Sequence, residues 1–414
     1  MNTISAGAMY SRAIAGQNQA NPPVPEPPAQ EPPRPEPPPP PPPPPPVFSE
    51  KQWTYGVYLG ADNNLVTYMT NNVEDMEKVG SNAKMNVLAQ LDRGPNGPSS
   101  FGGWSGARRF YVERDSDATL INSPVVENMG LHTDMSSPKT LTDFVVWMEQ
   151  KYPAKNVALI LNDHGGGWKQ DKLGKGAISD DHDGDFMSMP TIRQALEEAQ
   201  AATGKKLAFL AYDACLMGQL EVAYETRNLT DFMGGSEKTE GAYGWHYEEL
   251  LQKYYDKPNL TAKDMGDILV ETNSKHPGDI QTFSIVDSAK VGDLATATDG
   301  LARAIIASQG SAKAVKDDIS GAVGFGYGYK DLGNIATKIA NDSRITDEAL
   351  KAAAGQVEAK VKEAVTAEWH KDSYNGATGV TIYAPSYGVD SDYRDLQFAK
   401  DTQWDEAMEF LKSA

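Results

Sequence analysis

The sequence has one cysteine, no long apolar stretch and no excess of positive charge, and each shortage excludes a class of protein. The single cysteine, Cys215, cannot form an internal disulfide or a zinc site built from several cysteines. No apolar run approaches the roughly 18 residues that a membrane-spanning helix needs. The formal net charge of −19 argues against nucleic acid or an anionic membrane as a partner. What remains is a globular protein of ordinary composition, apart from its prolines.

Those prolines are concentrated at the start of the chain. Residues 1–46 hold 18 of the 27 prolines and end in an unbroken proline run from residue 37 to residue 46. Such a segment lacks backbone donors, so it is predicted to be a disordered, extended leader or linker, serving as a spacer or as a ligand for a proline-binding domain. Residues 1–20 show no continuous apolar core of signal-peptide type. The sequence alone therefore predicts a soluble, cytoplasmic protein.

The rest of the chain alternates between strand and helix patterns, which predicts an α/β fold with right-handed crossovers and a mainly parallel sheet. We expect an α/β core over residues 47–250 and a C-terminal α/β portion over 251–414 that packs on the same unit. The sequence gives no indication of the oligomeric state.

Two short apolar runs, residues 157–161 and 207–212, read as buried parallel strands. The first is followed after two residues by His164, and the second by Asp213, Ala214 and Cys215. Because side chains at the carboxyl ends of parallel strands converge on one crevice, His164 and Cys215 are predicted to lie together.

A thiol beside an imidazole is a candidate nucleophile, because only the thiolate attacks a carbonyl and a free cysteine is mostly protonated at neutral pH. His164 would accept the thiol proton and later protonate the leaving amine. A helix predicted over 216–227 would place its positive end at Cys215. Glycines after His164 allow close backbone approach, so the N–H groups of Gly165 and Cys215 are the predicted oxyanion donors.

This arrangement resembles the caspase-like cysteine peptidases and, more narrowly, the clostripain family. The resemblance extends over roughly residues 50–390, through these further blocks: Gly60-Ala61-Asp62-Asn63-Asn64-Leu65, Glu77-Lys78-Val79-Gly80-Ser81, Gln90-Leu91-Asp92-Arg93, Asp180-Asp181, Met189-Pro190, Ser236-Glu237, Gly244-Trp245 and Gly379-Val380-Thr381-Ile382-Tyr383-Ala384-Pro385. It implies a caspase-like three-layer sandwich with helices on both faces of the sheet. It also implies a secreted cysteine endopeptidase that acts on proteins or peptides and requires no cofactor.

The family resemblance also implies a specificity pocket. In relatives that cleave after arginine or lysine, the aspartate two residues before the cysteine lines the S1 pocket, and Asp213 keeps that position. Ser236 and Tyr243 are the other predicted S1 residues. Tyr243 stands where such relatives carry a second acidic residue, so the sequence predicts a pocket with one carboxylate. Cleavage after arginine or lysine is therefore the expectation, with a non-basic preference as the alternative.

Some relatives mature by cutting themselves between the histidine and cysteine strands. Lys172 and Lys175, flanked by glycines in that loop, are the predicted self-cleavage sites, although such lysines are equally compatible with a solvated surface loop.

Calcium is associated with some relatives as well. Asp181, Asp183 and Asp185 crowd oxygen ligands around Gly184 and are candidate calcium ligands, with an acidic helix-capping loop as the alternative.

Two rival functions remain to be weighed. The His-Gly-Gly-Gly sequence at residue 164 also resembles the oxyanion loop of α/β-hydrolase esterases, but the chain has no Gly-x-Ser-x-Gly elbow. A catalytically silent peptide-binding module of the same fold is the other alternative.

Overall fold

A computed structural model of the chain describes residues 49–169, 177–184 and 186–413. The leader of residues 1–46, the predicted self-cleavage sites Lys172 and Lys175, and the candidate calcium ligand Asp185 lie outside the described residues.

The described residues form twelve strands, which are β1 (Lys51–Gly60), β2 (Met85–Asp92), β3 (Ala107–Tyr111), β4 (Val125–Gly130), β5 (Ala154–Asn162), β6 (Leu207–Asp213), β7 (Thr230–Gly235), β8 (Thr282–Asp287), β9 (Gly324–Gly326), β10 (Tyr329–Asp331), β11 (Val365–His370) and β12 (Thr381–Tyr383). They also form twelve α-helices, which are α1 (Val66–Glu77), α2 (Pro138–Lys151), α3 (Met189–Thr203), α4 (Leu220–Thr226), α5 (Tyr247–Asp256), α6 (Ala262–Ser274), α7 (Ser288–Ala307), α8 (Ala312–Ser320), α9 (Leu332–Asn341), α10 (Glu348–Ala364), α11 (Gln397–Asp401) and α12 (Trp404–Lys412).

Nine of these strands form one sheet in the order β11-β8-β7-β6-β5-β1-β2-β3-β4. The five central strands, from β7 to β2 in that order, pair in parallel. Each edge is completed by two antiparallel pairings, so seven of the nine strands run in one direction. Because β8 and β11 belong to this sheet, residues beyond 250 share a sheet with the strands that precede them. The predicted α/β fold with a mostly parallel central sheet is confirmed.

Strand β5 shows why the central strands are apolar throughout. Leu159 and Leu161 face a cluster that includes side chains of α2, α3, α4 and α7. Ala158 and Ile160 face a second cluster, which includes side chains of α1, α5 and α6. Each fully buried leucine or isoleucine side chain contributes roughly 1.5–3 kcal/mol. Burial on both faces therefore accounts for the unbroken apolar run and yields three layers.

One predicted helix has different bounds in the structure. The helix predicted over 216–227 begins at Leu220, so residues 216–219 are not helical. Helix α10 ends at Ala364, and the chain continues as strand β11, which pairs with β8. Among the described residues, no helix has both the length and the apolar character needed to cross a bilayer.

Candidate active site

The ends of β5 and β6 bring His164 and Cys215 to the same edge of the sheet. Asn162 is paired with Asp213 in the parallel register. His164 and Cys215 each follow two positions after these paired residues. The backbones then approach so closely that a Cβ added at Gly165 would lie 2.1 Å from the carbonyl oxygen of Cys215. A side chain at position 165 would therefore push the histidine loop away from the cysteine.

The His164 side chain is held by residues from the loop after β1. Its Nε2 lies 2.6 Å from Oδ1 of Asn64. Since an amide oxygen only accepts hydrogen bonds, Nε2 carries the proton and Nδ1 is the basic nitrogen of the neutral ring. The His164 main chain is held as well, because its N–H donates to the buried carboxylate of Asp163. Asn63 and Ser179 also donate to that carboxylate.

Cys215 is half-buried, and its thiol lies beside the main chain of residue 240. The Sγ atom accepts a hydrogen bond from the N–H of Glu240 at 3.3 Å. A donor at this position favours the thiolate over the thiol. The following residue, Leu216, has φ of 65°, a conformation that non-glycine residues seldom adopt and that is often found at functional sites. The thiol therefore sits on a sharp turn, and the predicted helix N-terminus at Cys215 is wrong.

The three glycines at residues 165–167 form a loop after His164, here called the glycine loop, and two other parts of the chain hold it in place. The buried hydroxyl group of Tyr329, on β10, donates to the carbonyl oxygen of Gly166 at 2.7 Å. Oε1 of Gln219 accepts from the N–H of Trp168, and Gly167, at φ of 68°, leaves no room for a Cβ beside the same glutamine side chain. These contacts hold the backbone that carries the predicted oxyanion donor at Gly165.

Two cavities meet at the histidine and the cysteine. One, of about 180 Å³, is lined by His164, Cys215, Asp213 and Glu240 together with residues of the 241–244 turn. The other, of about 230 Å³, is lined by His164, Cys215 and the glycine loop, and is closed by aromatic side chains on and beside β10. A substrate passing between the two side chains would thus have a cavity with two acidic side chains on one side and an aromatic cavity on the other.

Asp213 lies at the base of the smaller cavity and is almost fully buried. Its Oδ2 accepts hydrogen bonds from Asn162 at 2.8 Å, from the Tyr247 hydroxyl at 2.9 Å and from the Trp245 N–H at 3.3 Å. Burial raises the pKa of Asp213 to about 6, although the bond from Tyr247 opposes that rise. The residue therefore carries a negative charge above about pH 6 inside a confined space.

Glu240 supplies a second carboxylate to the same cavity. Both of its carboxylate oxygens are buried, and its carboxyl group interacts with that of Asp213. Burial and then the charge of Asp213 raise the pKa of Glu240 well above its usual range. The sequence predicted a pocket with one carboxylate, because Tyr243 stands where relatives carry a second acidic residue. The cavity beside Asp213 instead has two carboxyl groups, since Glu240 also lines it.

The other two predicted S1 residues do not line either cavity. Ser236 is fully buried, and its Oγ faces the hydroxyl of Thr282 at 3.1 Å. Tyr243 is 63% exposed, and its ring packs edge-on against Tyr68. Only the neighbours of Tyr243 in the turn reach the cavity, because the tyrosine side chain points outwards.

The predicted calcium ligands separate in the structure. Asp183 belongs to a group with Asp62 and Asp180, whose oxygens lie within 4.8 Å of one another. Asp181 is exposed and is not part of this group. The described carboxylates that could hold a cation are therefore Asp62, Asp180 and Asp183. The spacing in the sequence had suggested Asp181, Asp183 and Asp185.

Asn64, Glu240, Gln219 and Tyr329 are site residues that the sequence reasoning missed. Asn63 caps the turn by accepting from the Leu65 N–H, whereas the adjacent Asn64 reaches His164. The Glu240-Gly241 pair before a turn was the available signal for the second carboxylate. Nothing local in the sequence indicates that Gln219 or Tyr329 contacts the glycine loop.

Comparison with known proteins gives a consistent result. Residues 57–411 match the sequence profile described as the clostripain family. Clostripain from Hathewaya histolytica is 24% identical over 394 residues, which cover 80% of this chain and 74% of that protein.

Solved structures show a similar fold. An inactive zymogen C11 protease from Parabacteroides distasonis has a TM-score of 0.64 at 20% identity, covering 86% of this chain and 99% of that one. A secreted C11 cysteine protease from Bacteroides thetaiotaomicron, in complex with an irreversible peptide inhibitor, has a TM-score of 0.63 at 20% identity with the same coverage of both chains.

Proposed function

The chain belongs to the clostripain family of cysteine peptidases, and on that premise we propose that Cys215 is its nucleophile, His164 its general acid and base, and lysine or arginine its preferred P1 residue. As a member of this family it is a cysteine-type endopeptidase that acts on proteins or peptides. The observation that carries the assignment is the convergence of His164 and Cys215 on the same two cavities. The three-layer fold is that of the C11 proteases.

In the proposed reaction, Nδ1 of His164 takes the thiol proton and the Cys215 thiolate attacks the peptide carbonyl carbon. The carbonyl oxygen becomes an oxyanion, and the N–H groups of Gly165 and Cys215 are the proposed donors to it. The C–N bond then breaks as His164 returns the proton to the leaving amine, which forms a thioester. Water hydrolyses the thioester, with His164 accepting a proton from the water and returning it to the thiol.

The P1 preference is supported by the two carboxylates at the base of the smaller cavity. Asp213 and Glu240 face a space of about 180 Å³ that has no lysine or arginine among its described lining residues. An entering ammonium or guanidinium group would supply the missing counter-charge and donate hydrogen bonds to the oxygens of Glu240. A neutral P1 side chain would leave both carboxyl groups without a counter-charge.

The test uses reporter peptides that differ only in carrying Arg, Lys or Leu at P1. We expect kcat/KM for Arg or Lys to exceed that for Leu, and Asp213→Asn and Glu240→Gln each to reduce the preference about tenfold or more, because each removes part of a desolvated charge pair. Glu248→Gln is the matched control, since this exposed glutamate lies outside both cavities. A leucine preference in the wild-type protein would refute the basic P1 assignment.

The alternative of a silent peptide-binding module is distinguished by covalent chemistry. A thiol-directed peptidyl inhibitor should label the wild-type protein at Cys215 and should label His164→Ala far more slowly. Absence of labelling in a folded wild-type protein would favour the silent module.

Self-maturation after Lys172 or Lys175 is a further part of the proposal. It is supported by the two basic P1 candidates in the loop between the histidine and cysteine strands. Intact mass after incubation should show cleavage in the wild-type protein and none in Cys215→Ala. Replacing both lysines with glutamine should leave the chain intact. An active wild-type protein that stays uncut would refute maturation there.

The proposed chemistry requires no cofactor, since the thiol, the imidazole and the amide donors all belong to the chain. A calcium ion, if bound, would act on the loop around Asp183 and not on the reacting atoms. We also propose that the protein acts outside the cytoplasm, as one structurally similar protease is described as secreted. Fractionation of the native host would test this.

A further inference from the structure

The larger of the two active-site cavities is bordered by a β-hairpin with an unusual turn. Strands β9 and β10 pair at Gly326 and Tyr329, so Tyr327 and Gly328 form a two-residue turn. Both turn residues have positive φ, of 54° and 86°, and turns of this kind favour Asn-Gly. The tyrosine at the first turn position is therefore held in a strained conformation that asparagine or glycine would adopt at lower cost.

A second strained residue lies at the same cavity. Among the described residues, four residues other than glycine have positive φ, namely Phe101, Leu216, Asn259 and Tyr327. Two of the four, Leu216 and Tyr327, line the larger cavity beside Cys215. Because strained residues are found mainly at functional sites, this coincidence indicates a functional role for the two side chains.

Tyr327 presents its ring at the surface and does not pack in the core. The residue is 56% exposed, whereas Tyr329 is buried and packs edge-on against Tyr383 with ring centroids 6.0 Å apart. The rings of Tyr327 and Tyr329 are tilted, with centroids 6.3 Å apart, which is within the range of favourable aromatic pairs. The exposed ring thus stands beside a buried aromatic group and could be covered by a further apolar side chain.

The chemistry of this cavity differs from that of the cavity proposed for P1. None of its described lining residues is a carboxylate, and Lys169 forms an ion pair with Asp390 at 3.2 Å. Its volume of about 230 Å³ exceeds the volume of about 180 Å³ of the cavity proposed to take lysine or arginine. The larger cavity therefore suits an uncharged side chain, and an aromatic ring would pack against Tyr327.

We propose that Tyr327, together with Leu216 and Tyr329, forms a second specificity subsite, which binds an apolar and preferably aromatic side chain of the substrate residue next to P1. This inference rests on the proposed peptidase function. Both cavities begin at His164 and Cys215, so the occupant is the residue before P1, called P2, or the residue after the cleaved bond, called P1′. Contacts made by such a residue would raise kcat/KM.

The test uses internally quenched peptides with lysine fixed at P1. One series carries Phe, Leu, Ser or Glu at P2 with alanine at P1′, and the other carries the same four residues at P1′ with alanine at P2. We expect kcat/KM for Phe to exceed that for Ser about tenfold or more in at least one series, which identifies the position. Equal rates within both series, or faster cleavage of the Ser or Glu peptides in both, would overturn the subsite alone. Cleavage of no peptide would overturn the peptidase assignment as well.

The variant Tyr327→Asn removes the ring and keeps a residue suited to positive φ. Its Phe-to-Ser ratio of kcat/KM should fall to about twofold or less, while Tyr327→Phe should retain the wild-type ratio. Tyr387→Asn is the matched control and should also retain that ratio, because this tyrosine is 61% exposed and lines neither active-site cavity.

Stability separates a role in specificity from a role in the fold. In Cys215→Ala protein, which lacks the proposed nucleophile, adding Tyr327→Asn should raise the Tm or leave it unchanged, because backbone strain is relieved. A wild-type Phe-to-Ser ratio in Tyr327→Asn, or a lowered Tm in the Cys215→Ala protein that carries it, would show that the tyrosine serves the fold and would overturn the proposal.

Discussion

At the scale of single residues, the amide of Asn64 determines which nitrogen of His164 is basic. Its Oδ1 accepts from Nε2 at 2.6 Å, so the lone pair of the neutral ring is on Nδ1. The amide does not need to touch the substrate for this effect. Asn64 is therefore a positioning residue for the proposed general base.

Replacing Asn64 tests that role. In Asn64→Ala we expect kcat to fall about tenfold or more, because general acid–base catalysis contributes 10²- to 10⁴-fold and depends on orientation. In Asn64→Asp a negative acceptor should shift the His164 limb of the pH–kcat profile to higher pH. Asn96→Ala, at an exposed position in the β2–β3 connection, is the control. Unchanged pH profiles in both Asn64 variants would contradict the assignment.

The paired carboxylates of Asp213 and Glu240 predict how substrate binding depends on pH. Burial raises the pKa of Asp213 to about 6 and that of Glu240 well above its usual range. Because a carboxylate attracts a P1 cation only when it is ionised, the attraction from Asp213 is present above about pH 6 and is lost as the pH falls through that value.

We therefore expect KM for Lys and Arg peptides to rise as the pH is lowered from 7 to 5, with KM for Leu peptides nearly constant. Steady-state kinetics across that range would measure it. The Asp213→Asn variant should lose most of the pH dependence. Parallel changes in KM for all three peptides would indicate that another group titrates.

At the scale of elements, strand β10 and the turn before α4 fasten the glycine loop. The Tyr329 hydroxyl, buried beside the larger cavity, donates to the carbonyl oxygen of Gly166, and Gln219 accepts from the N–H of Trp168. Since β10 belongs to the separate three-stranded sheet, the oxyanion backbone is held by an element outside the central sheet.

The Tyr329→Phe variant removes one hydrogen bond at this junction and leaves the ring. The expected loss is about 1 kcal/mol in unfolding free energy, together with a several-fold fall in kcat, because Gly165 would be held less rigidly. Denaturant unfolding and steady-state kinetics measure the two effects. Tyr374→Phe is the matched control, since it removes a hydrogen bond to Gln281 away from the site and should leave kcat unchanged. Equal effects on kcat in the two variants would argue against a role for the loop.

At the scale of the whole molecule, several buried carboxyl groups set the pH dependence of stability. Burial raises the pKa of Glu74 to about 8, and those of Asp92 and Glu221 to about 7. Between the unfolded pKa, near 4, and these folded values, the folded state binds more protons than the unfolded chain. The unfolding free energy therefore falls as the pH rises through that window.

We expect the Tm of Cys215→Ala protein to be several degrees higher near pH 5.5 than near pH 8. Scanning calorimetry at a series of pH values measures the difference. Glu221→Gln should flatten the profile, because it removes one of the groups that must ionise inside the protein. A Tm that rises from pH 5.5 to pH 8 would show that other groups dominate.

A structural feature could be predicted from the sequence when it depends on neighbouring residues. It could not be predicted when it depends on residues far apart in the chain. Apolar runs at β5 and β6 indicated strands buried on both faces, and their polar ends placed His164 and Cys215 at one edge, because strand direction and the position of the carboxyl end are local properties. Strand β11 has no comparable local signal, since its pairing with β8 joins segments about eighty residues apart.

The sequence by itself determined the α/β class, the buried strands and the two motifs at their ends, all of which depend on spacing between near neighbours. Only the tertiary structure decided that Asn64 reaches His164 across a hundred positions, that Glu240 and not Tyr243 joins Asp213, and that Asp62 meets Asp180 and Asp183. Such contacts arise where separate loops converge at the end of a sheet, and the direction of a side chain on a loop is set by packing that no local pattern encodes.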